Sequence, residues 1–234
     1  MQFLKKLKRL KYYLEGYVNL ITLKNKVLFM SNKHHQDITH IRKMMEGSTK
    51  FMSLSGLSGI FIGLYAIIGA ILAYFIVQDH FIAYNGHIRI TKDIIKQMFA
   101  IPLGVLLLSL ATAYVLSKRK AKKQQFPFWN KTAKKMIINM AIPLAIGGIV
   151  VLGLIYHRYY ILIPAATLLF YGLALINASH YTLKEIKGLG IVQSCIGLLS
   201  LFDLGYGIVY WAIGFGLMHI VYGIYIYFKY ERIR

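Results

Sequence analysis

Six stretches of this 234-residue chain contain almost no charged side chain, and each is close to the length that crosses a lipid bilayer. A hydrocarbon core about 30 Å thick requires roughly 20 apolar residues in a helix. The stretches lack the two-residue alternation of barrel strands, and backbone amides in lipid must be satisfied within the segment, so we interpret them as helices. The pattern predicts an all-α, polytopic transmembrane helical bundle with spans at residues 51–77, 98–116, 136–156, 159–177, 188–204 and 206–228.

The fifth span is the shortest, and it is separated from the fourth by the charged segment 180–187. Asp203, Leu204 and Gly205 predict a tight turn before the sixth span, with Gly205 able to adopt the positive φ that a sharp reversal often requires. Asp203 is expected to cap the sixth helix, because its carboxylate can accept from free amides at a helix start. The sequence therefore predicts a hairpin of spans five and six.

The loops differ sharply in their Lys and Arg content, which sets the side on which short loops remain. Of the 28 Lys and Arg residues, 24 lie in the two termini and in the second and fourth loops. The distribution predicts an N-in, C-in protein of the bacterial cytoplasmic (inner) membrane. A cytoplasmic tail is expected at residues 229–234.

The net charge of +20 is accounted for by this positive-inside bias, so it gives little support to nucleic-acid binding. No aromatic stacking platform is interleaved with the lysines, which further weakens that alternative. Membrane lipids are the expected partners, because basic segments next to a membrane attract anionic headgroups. The residues predicted to contact anionic lipid follow the second span: Lys118, Arg119, Lys120, Lys122 and Lys123.

Residues 1–50 form a separate basic region, in which apolar residues recur at spacings of three and four. This pattern predicts an amphipathic helix that lies in the cytoplasmic membrane interface. No uninterrupted apolar core or small-residue cleavage site follows the early lysines, which argues against a cleaved signal peptide. A start of translation at Met30 is the alternative explanation for this segment.

Small residues recur at helical spacing along the first span. A face of this kind lets a second helix approach closely, which is how helices associate in lipid without a hydrophobic driving force. We favour packing within the chain over packing between copies, and a homo-oligomer or a partner membrane protein remains open. The predicted packing face consists of Ser55, Gly59, Gly63, Ala66 and Ala70.

His219 is the clearest candidate for chemistry, because it lies near the middle of the sixth span, where an ionisable side chain is costly. A neutral imidazole bonded to a Tyr hydroxyl, with Tyr171 at similar depth, would explain it as structural. A proton relay or ligand contact is the alternative, with Asp203 as a third weak candidate. Gln193 and Ser194 are expected toward a cytoplasmic helix end, where they would join helices by hydrogen bonds.

No catalytic set can be assembled from the residues at depth, so we predict that the protein is not an enzyme. No spacing of His, Cys, Asp or Glu matches a metal-ligand pattern, and no nucleotide-binding loop occurs, so no metal or cofactor is expected. Cys195 is the sole cysteine, which excludes a disulfide within the chain.

Three strings of residues resemble an uncharacterised family of bacterial six-span integral membrane proteins. The similarity extends from residue 41 to the C-terminus and leaves out the basic N-terminal region. It implies a bacterial cytoplasmic membrane and six helices, and it brings no activity or catalytic residue. The strings lie at residues 51–59, 170–179 and 211–216.

Together these features predict a non-enzymatic accessory or interaction component of the membrane. The alternative is a small-solute transporter or channel in which His219 lines the pathway, since some transporters place a polar site at mid-membrane between two repeats of three helices.

Overall fold

A computed structural model describes residues 51, 54–83, 91–125 and 127–232. These residues contain six helical spans, each long and apolar enough to cross a membrane, and no β-strand is found among them. The predicted all-α fold of six spans is therefore confirmed. The basic region 1–50, with its predicted interfacial helix, lies outside the described residues.

The first, second, third and fifth spans are single α-helices, whereas the fourth and sixth begin with a 3₁₀ turn. The sixth span contains a π-helical segment between two α-helices. In chain order the elements are α1 Gly56–Ala83, α2 Lys92–Lys123, α3 Lys131–Tyr156, a 3₁₀ turn Tyr160–Leu162 leading into α4 Ile163–Ala178, a 3₁₀ turn Ser179–Tyr181, α5 Glu185–Phe202, a 3₁₀ turn Leu204–Tyr206, α6 Gly207–Trp211, the π-helix Ala212–Met218 and α7 His219–Tyr230.

The second span differs most from its predicted limits. Helix α2 begins at Lys92 rather than at residue 98, and it continues to Lys123 rather than ending at residue 116. Thr91 caps its start by accepting a hydrogen bond from the Ile94 amide at 3.3 Å. Hydropathy detected only the part of the helix that lipid would cover, because Lys and Arg are good helix formers that end an apolar run without ending a helix.

The turn between spans five and six corrects two predictions. Gly205 does not adopt a positive φ, because the reversal is a 3₁₀ turn, Leu204–Tyr206, in which every residue can keep an ordinary negative φ. Asp203 makes no side-chain capping bond. Its Oδ2 instead accepts a hydrogen bond from the Tyr210 hydroxyl at 3.2 Å, which fastens the turn to α6.

Helices α2 and α3 lie at the edges of the bundle. Helix α1 packs between α2 and the sixth span, while α4 packs against α3, α5 and the sixth span. In the most apolar window of each span, 6% of α2 and 11% of α3 is buried, against 39% of the fourth span. Both edge helices therefore present wide apolar faces that no described element covers.

Glycines bring helix backbones together along two seams. A Cβ on Gly59 would lie 3.0 Å from the Gly223 Cα of the sixth span, and one on Gly63 would lie 2.6 Å from Ile220 Cγ1. In the second seam, a Cβ on Gly190 of α5 would lie 2.7 Å from the Gly172 carbonyl oxygen of α4.

The small-residue face predicted on the first span is occupied from within the chain. Ala66 and Ala70 are buried, and the two glycines of the face meet the sixth span. Ser55 is also buried, and its hydroxyl donates to Glu231 Oε2 at 3.4 Å. The packing is therefore intramolecular along this face.

Candidate functional site

His219 lies where the π-helix of the sixth span passes into α7, and only 4% of its surface is exposed. Three groups on α4, α5 and the π-helix surround its ring. The Tyr171 hydroxyl is 2.8 Å from Nε2. On the other side, Nδ1 is 3.3 Å from both the Gly214 carbonyl oxygen and the Gln193 Nε2. We call His219, Tyr171, Gln193 and Gly214 the His219 cluster.

The side chain of Gln193 links α5 to the π-helix. Its Nε2 donates to the Gly214 carbonyl oxygen at 2.7 Å, and the residue has no exposed surface. The Gln193 amide must turn its nitrogen toward Gly214, because the Gly214 carbonyl oxygen can only accept a hydrogen bond. The absence of a side chain at Gly214 makes room for it, since a Cβ there would lie 2.6 Å from Gln193 Oε1.

The hydrogen bonds of the cluster select one tautomer of the imidazole. If Nδ1 carries the proton, it donates to the Gly214 carbonyl and Nε2 accepts from the Tyr171 hydroxyl. In the other tautomer Nδ1 accepts from Gln193 Nε2, but Nε2–H donates to the Tyr171 oxygen, and the hydroxyl hydrogen finds no acceptor among the described residues. A buried donor without a partner costs about 1–3 kcal/mol, so the Nδ1–H form is favoured.

The tautomer can be measured directly. In nitrogen-15 spectra of the His-labelled protein, we expect the buried His219 ring to have a protonated Nδ1 and an accepting Nε2. Tyr171→Phe should shift the Nε2 resonance strongly, because it removes the donor, and should lower stability by about 1 kcal/mol. The exposed His157 provides the internal control, with no shift in the variant. A protonated Nε2 in the wild-type protein would contradict the assignment.

Aromatic rings cover one side of the cluster. The Phe215 ring lies 5.0 Å from that of Tyr171 and stacks on His219 at 6.1 Å, and Trp211 lies 5.1 Å beyond Phe215. The arrangement is suited to holding three spans together in a fixed register.

The cluster brings together two of the three predicted chemical candidates. Tyr171 and His219 form the expected hydrogen bond, whereas Asp203 bonds Tyr210 instead. Gln193 was predicted toward a helix end, but it lies at the middle of α5, at the depth of His219. Within the described residues no group of three or more His, Cys, Asp or Glu side chains could hold a metal.

A second polar site, which the sequence did not suggest, lies where α1 begins and α2 and α7 end. Glu231 Oε1 accepts from the Gly56 amide at 2.6 Å and from Lys120 Nζ at 3.0 Å. Lys120 Nζ also donates to the Leu54 carbonyl oxygen at 2.5 Å. The side chains of the ion pair are only 10% and 13% exposed. We call Glu231, Lys120 and the Gly56 amide the Glu231 clamp.

The clamp corrects the role predicted for Lys120. Anionic lipid was the expected partner of this side chain, but its ammonium group is directed into the protein, toward Glu231 and Leu54. Helical periodicity explains the difference, because Lys120 lies near the buried Ser117 and Ala121, whereas Lys118 and Arg119 are exposed. Helix α7 continues to Tyr230, two residues into the segment 229–234 that the sequence predicts as a cytoplasmic tail.

The same end of the bundle carries a second ion pair. Lys229 Nζ lies 2.6 Å from Glu185 Oε1, and the Tyr230 hydroxyl donates to that oxygen at 2.9 Å. The segment before α1 is fastened here as well. The Phe51 amide donates to the Tyr181 carbonyl, and the Thr182 hydroxyl donates to the Phe51 carbonyl, each at 2.7 Å. Polar contacts at this end thus tie four spans together.

Comparisons with protein-family models, with curated proteins and with solved structures find no match to this chain. The architecture and the two polar sites are therefore the basis for inferring what it does. They belong to a six-span helical protein whose buried polar groups join its own helices.

Proposed function

We propose that the protein is a non-enzymatic accessory or interaction component of a bacterial cytoplasmic membrane, acting through the surfaces that it presents. Both termini are assigned to the cytoplasm, because 24 of 28 Lys and Arg residues lie on that side of the six spans. The predicted resemblance to uncharacterised six-span proteins agrees with this location.

One contrast supports the proposal. His219, a buried polar side chain near the middle of the sixth span, has both ring nitrogens within reach of groups of the same chain. Helices α2 and α3, in contrast, leave most of their apolar residues uncovered, including Leu107 at 58% exposure and Ile149 at 70%. Buried polar groups thus join helices within the bundle, and the largest uncovered share of any span lies on the edge helices.

Site-specific photocrosslinking in native membranes tests the proposal. Photoreactive side chains would replace Leu107 on α2 and Ile142 and Ile149 on α3, with Ile191 and Leu198 on the exposed face of α5 as matched controls. We expect a protein adduct of defined size from the edge helices and only lipid adducts from α5. Lipid adducts alone from every position would contradict a protein-interaction role.

The alternative is a transporter or channel with His219 at its pathway. Two observations favour it: π-helical turns occur frequently at functional sites, and the buried Gln193 Oε1 has no hydrogen-bond partner among the described residues. Neither observation supplies the paired charges of an ion-coupled site.

Flux through liposomes distinguishes the two functions. We expect the purified protein to add no proton or small-cation flux above that of protein-free liposomes, because His219 is buried among aromatic rings and polar groups of the same chain. We expect His219→Leu to retain the crosslinking pattern of the wild-type protein. Flux that is present in the wild type and abolished by His219→Leu, in a variant that folds normally, would establish the transporter instead.

A further inference from the structure

A strongly basic surface lies at the end of the bundle where α2 ends and α3 begins. Seven of its side chains are exposed cations that flank the connection 124–130, and we call them the α2–α3 basic surface: Lys118, Arg119, Lys122 and Lys123 on α2, and Lys131, Lys134 and Lys135 on α3.

Among the described residues, no carboxylate forms an ion pair with these seven cations. Five described residues are acidic, and three of them, Asp79, Asp93 and Asp203, belong to the opposite ends of their helices. The remaining two are Glu185 and Glu231, and each already holds another lysine. The positive charge at this end is therefore left for a partner outside the described residues.

The basic surface continues into apolar surface on both helices. On α2, Tyr114 and Val115 are 52% and 43% exposed and lie one turn before Lys118 and Arg119. On α3, Ile138 is 60% exposed and lies one turn after Lys134. Trp129, which is 57% exposed, stands in the connection between the helices.

We propose that the α2–α3 basic surface binds an anionic phospholipid, with the phosphate held by its lysines and the acyl chains lying along Tyr114, Val115 and Ile138. Cations at a helix end bordered by exposed apolar side chains match a molecule that is negative at one end and apolar along its length. A free phosphate would use only the cations, and an acidic polypeptide would leave the apolar border without a role. The inference goes beyond the proposed function, since lipid would bind here in an accessory protein or in a transporter.

The surface differs from a general attraction of basic loops to a charged membrane, because it is bounded. Lys120 lies in the middle of the same sequence run and is excluded from it, since its ammonium group is engaged in the Glu231 clamp. Lys184 precedes α5 and Lys187 lies in the first turn of α5; both are exposed at the same end of the bundle, and no longer run of Lys or Arg surrounds them. These two lysines provide a matched control.

Native mass spectrometry and lipid titration of the full-length protein in nanodiscs test the site. The discs contain phosphatidylcholine with increasing phosphatidylglycerol, and the compared variants are Lys122→Gln with Lys134→Gln and Lys184→Gln with Lys187→Gln. An exposed ion pair contributes up to about 1 kcal/mol, so loss of two lysine–phosphate pairs in the first double variant should weaken phosphatidylglycerol binding up to about thirtyfold. The control double variant should change it less than about twofold if the cations act only locally.

Three outcomes would overturn the inference. If both double variants weakened phosphatidylglycerol binding equally, the lysines would attract the lipid through the summed positive potential at this end of the bundle and not through a bounded site. Binding of glycerol phosphate as strong as that of the lipid would assign the site to a free phosphate. In native membranes, protection of Lys122 and Lys134 from amine labelling by an acidic protein, with no retained phosphatidylglycerol, would assign it to that protein. Thermal melting of each variant checks that loss of lipid does not reflect loss of the fold.

Discussion

Glu231→Gln is expected to lower the free energy of unfolding by about 3 kcal/mol, which is the scale for removing one partner of a buried ion pair. The substitution leaves the Lys120 ammonium group almost buried without a counter-charge. It also weakens the acceptor for the Gly56 amide, the first backbone donor of α1. Reversible unfolding in mixed micelles measures the change, with helical circular dichroism as the signal.

The three described ion pairs provide a graded control. Lys229 is 45% exposed in its pair with Glu185, so we expect Glu185→Gln to cost less than Glu231→Gln. Asp93 and Lys96 are 82% and 79% exposed, so Asp93→Asn should change stability by less than about 1 kcal/mol. Equal effects of all three substitutions would contradict the role assigned to burial.

A double variant separates charge burial from loss of packing. Lys120→Met combined with Glu231→Gln removes both charges and keeps an amide oxygen that can accept from Gly56. Because a buried pair can often be replaced by uncharged groups at little cost, the double variant should recover most of the stability lost by Glu231→Gln alone. No recovery would show that the carboxylate acts mainly through the Gly56 amide.

Gly223→Ala is expected to destabilise the protein by about 3 kcal/mol, at the upper end of the usual cost of overpacking. A Cβ at this position would lie 2.6 Å from the Ile60 amide nitrogen, 2.8 Å from the Gly56 carbonyl oxygen and 2.9 Å from the Gly59 carbonyl carbon. All three are backbone atoms of α1, which no rotamer change can move. The same micelle unfolding experiment measures the loss.

Gly148→Ala is the matched control for this effect. Gly148 lies within α3, and a Cβ there would meet nothing within 4 Å. Alanine is a better helix former than glycine by up to about 1 kcal/mol, so the variant should be as stable as the wild type or slightly more stable. Similar losses in both variants would indicate that glycine matters here for local flexibility and not for close helix contact.

The existence and number of the spans follow from sequence because lipid imposes one requirement on every segment that crosses it. A run of about 20 apolar residues satisfies that requirement as a helix whatever its neighbours are. The hydropathy of residues 98–116 therefore identified the second span correctly. It could not identify the limits of α2, Lys92 and Lys123, because the helix continues past the part that apolar side chains reveal.

The small-residue face of the first span was also visible in sequence, since spacing along a helix determines which residues share a face. Its partner was not visible. Gly223 lies about 160 positions after Gly59 in the chain, and only the packing of α1 against the sixth span brings the two together.

The polar sites divide in the same way. His219 and Tyr171 could be paired from their depth alone, because both stand near the middle of an apolar run. The sequence pattern places Gln193 toward a helix end, whereas in the folded protein it lies at the middle of α5 and donates to Gly214. Glu231 looked like part of a solvated tail, and nothing in the local sequence indicates that it caps a helix that begins 175 residues earlier.

The sequence by itself determined the helical nature of the spans, their number and the uneven distribution of charge, because each depends on residues close together in the chain. Tertiary structure alone decided which lysine is buried and which are exposed, which glycines meet and where the amide of Gln193 lies. These depend on contacts between helices, and in an apolar environment such contacts are set by a few small or polar side chains that local patterns cannot pair.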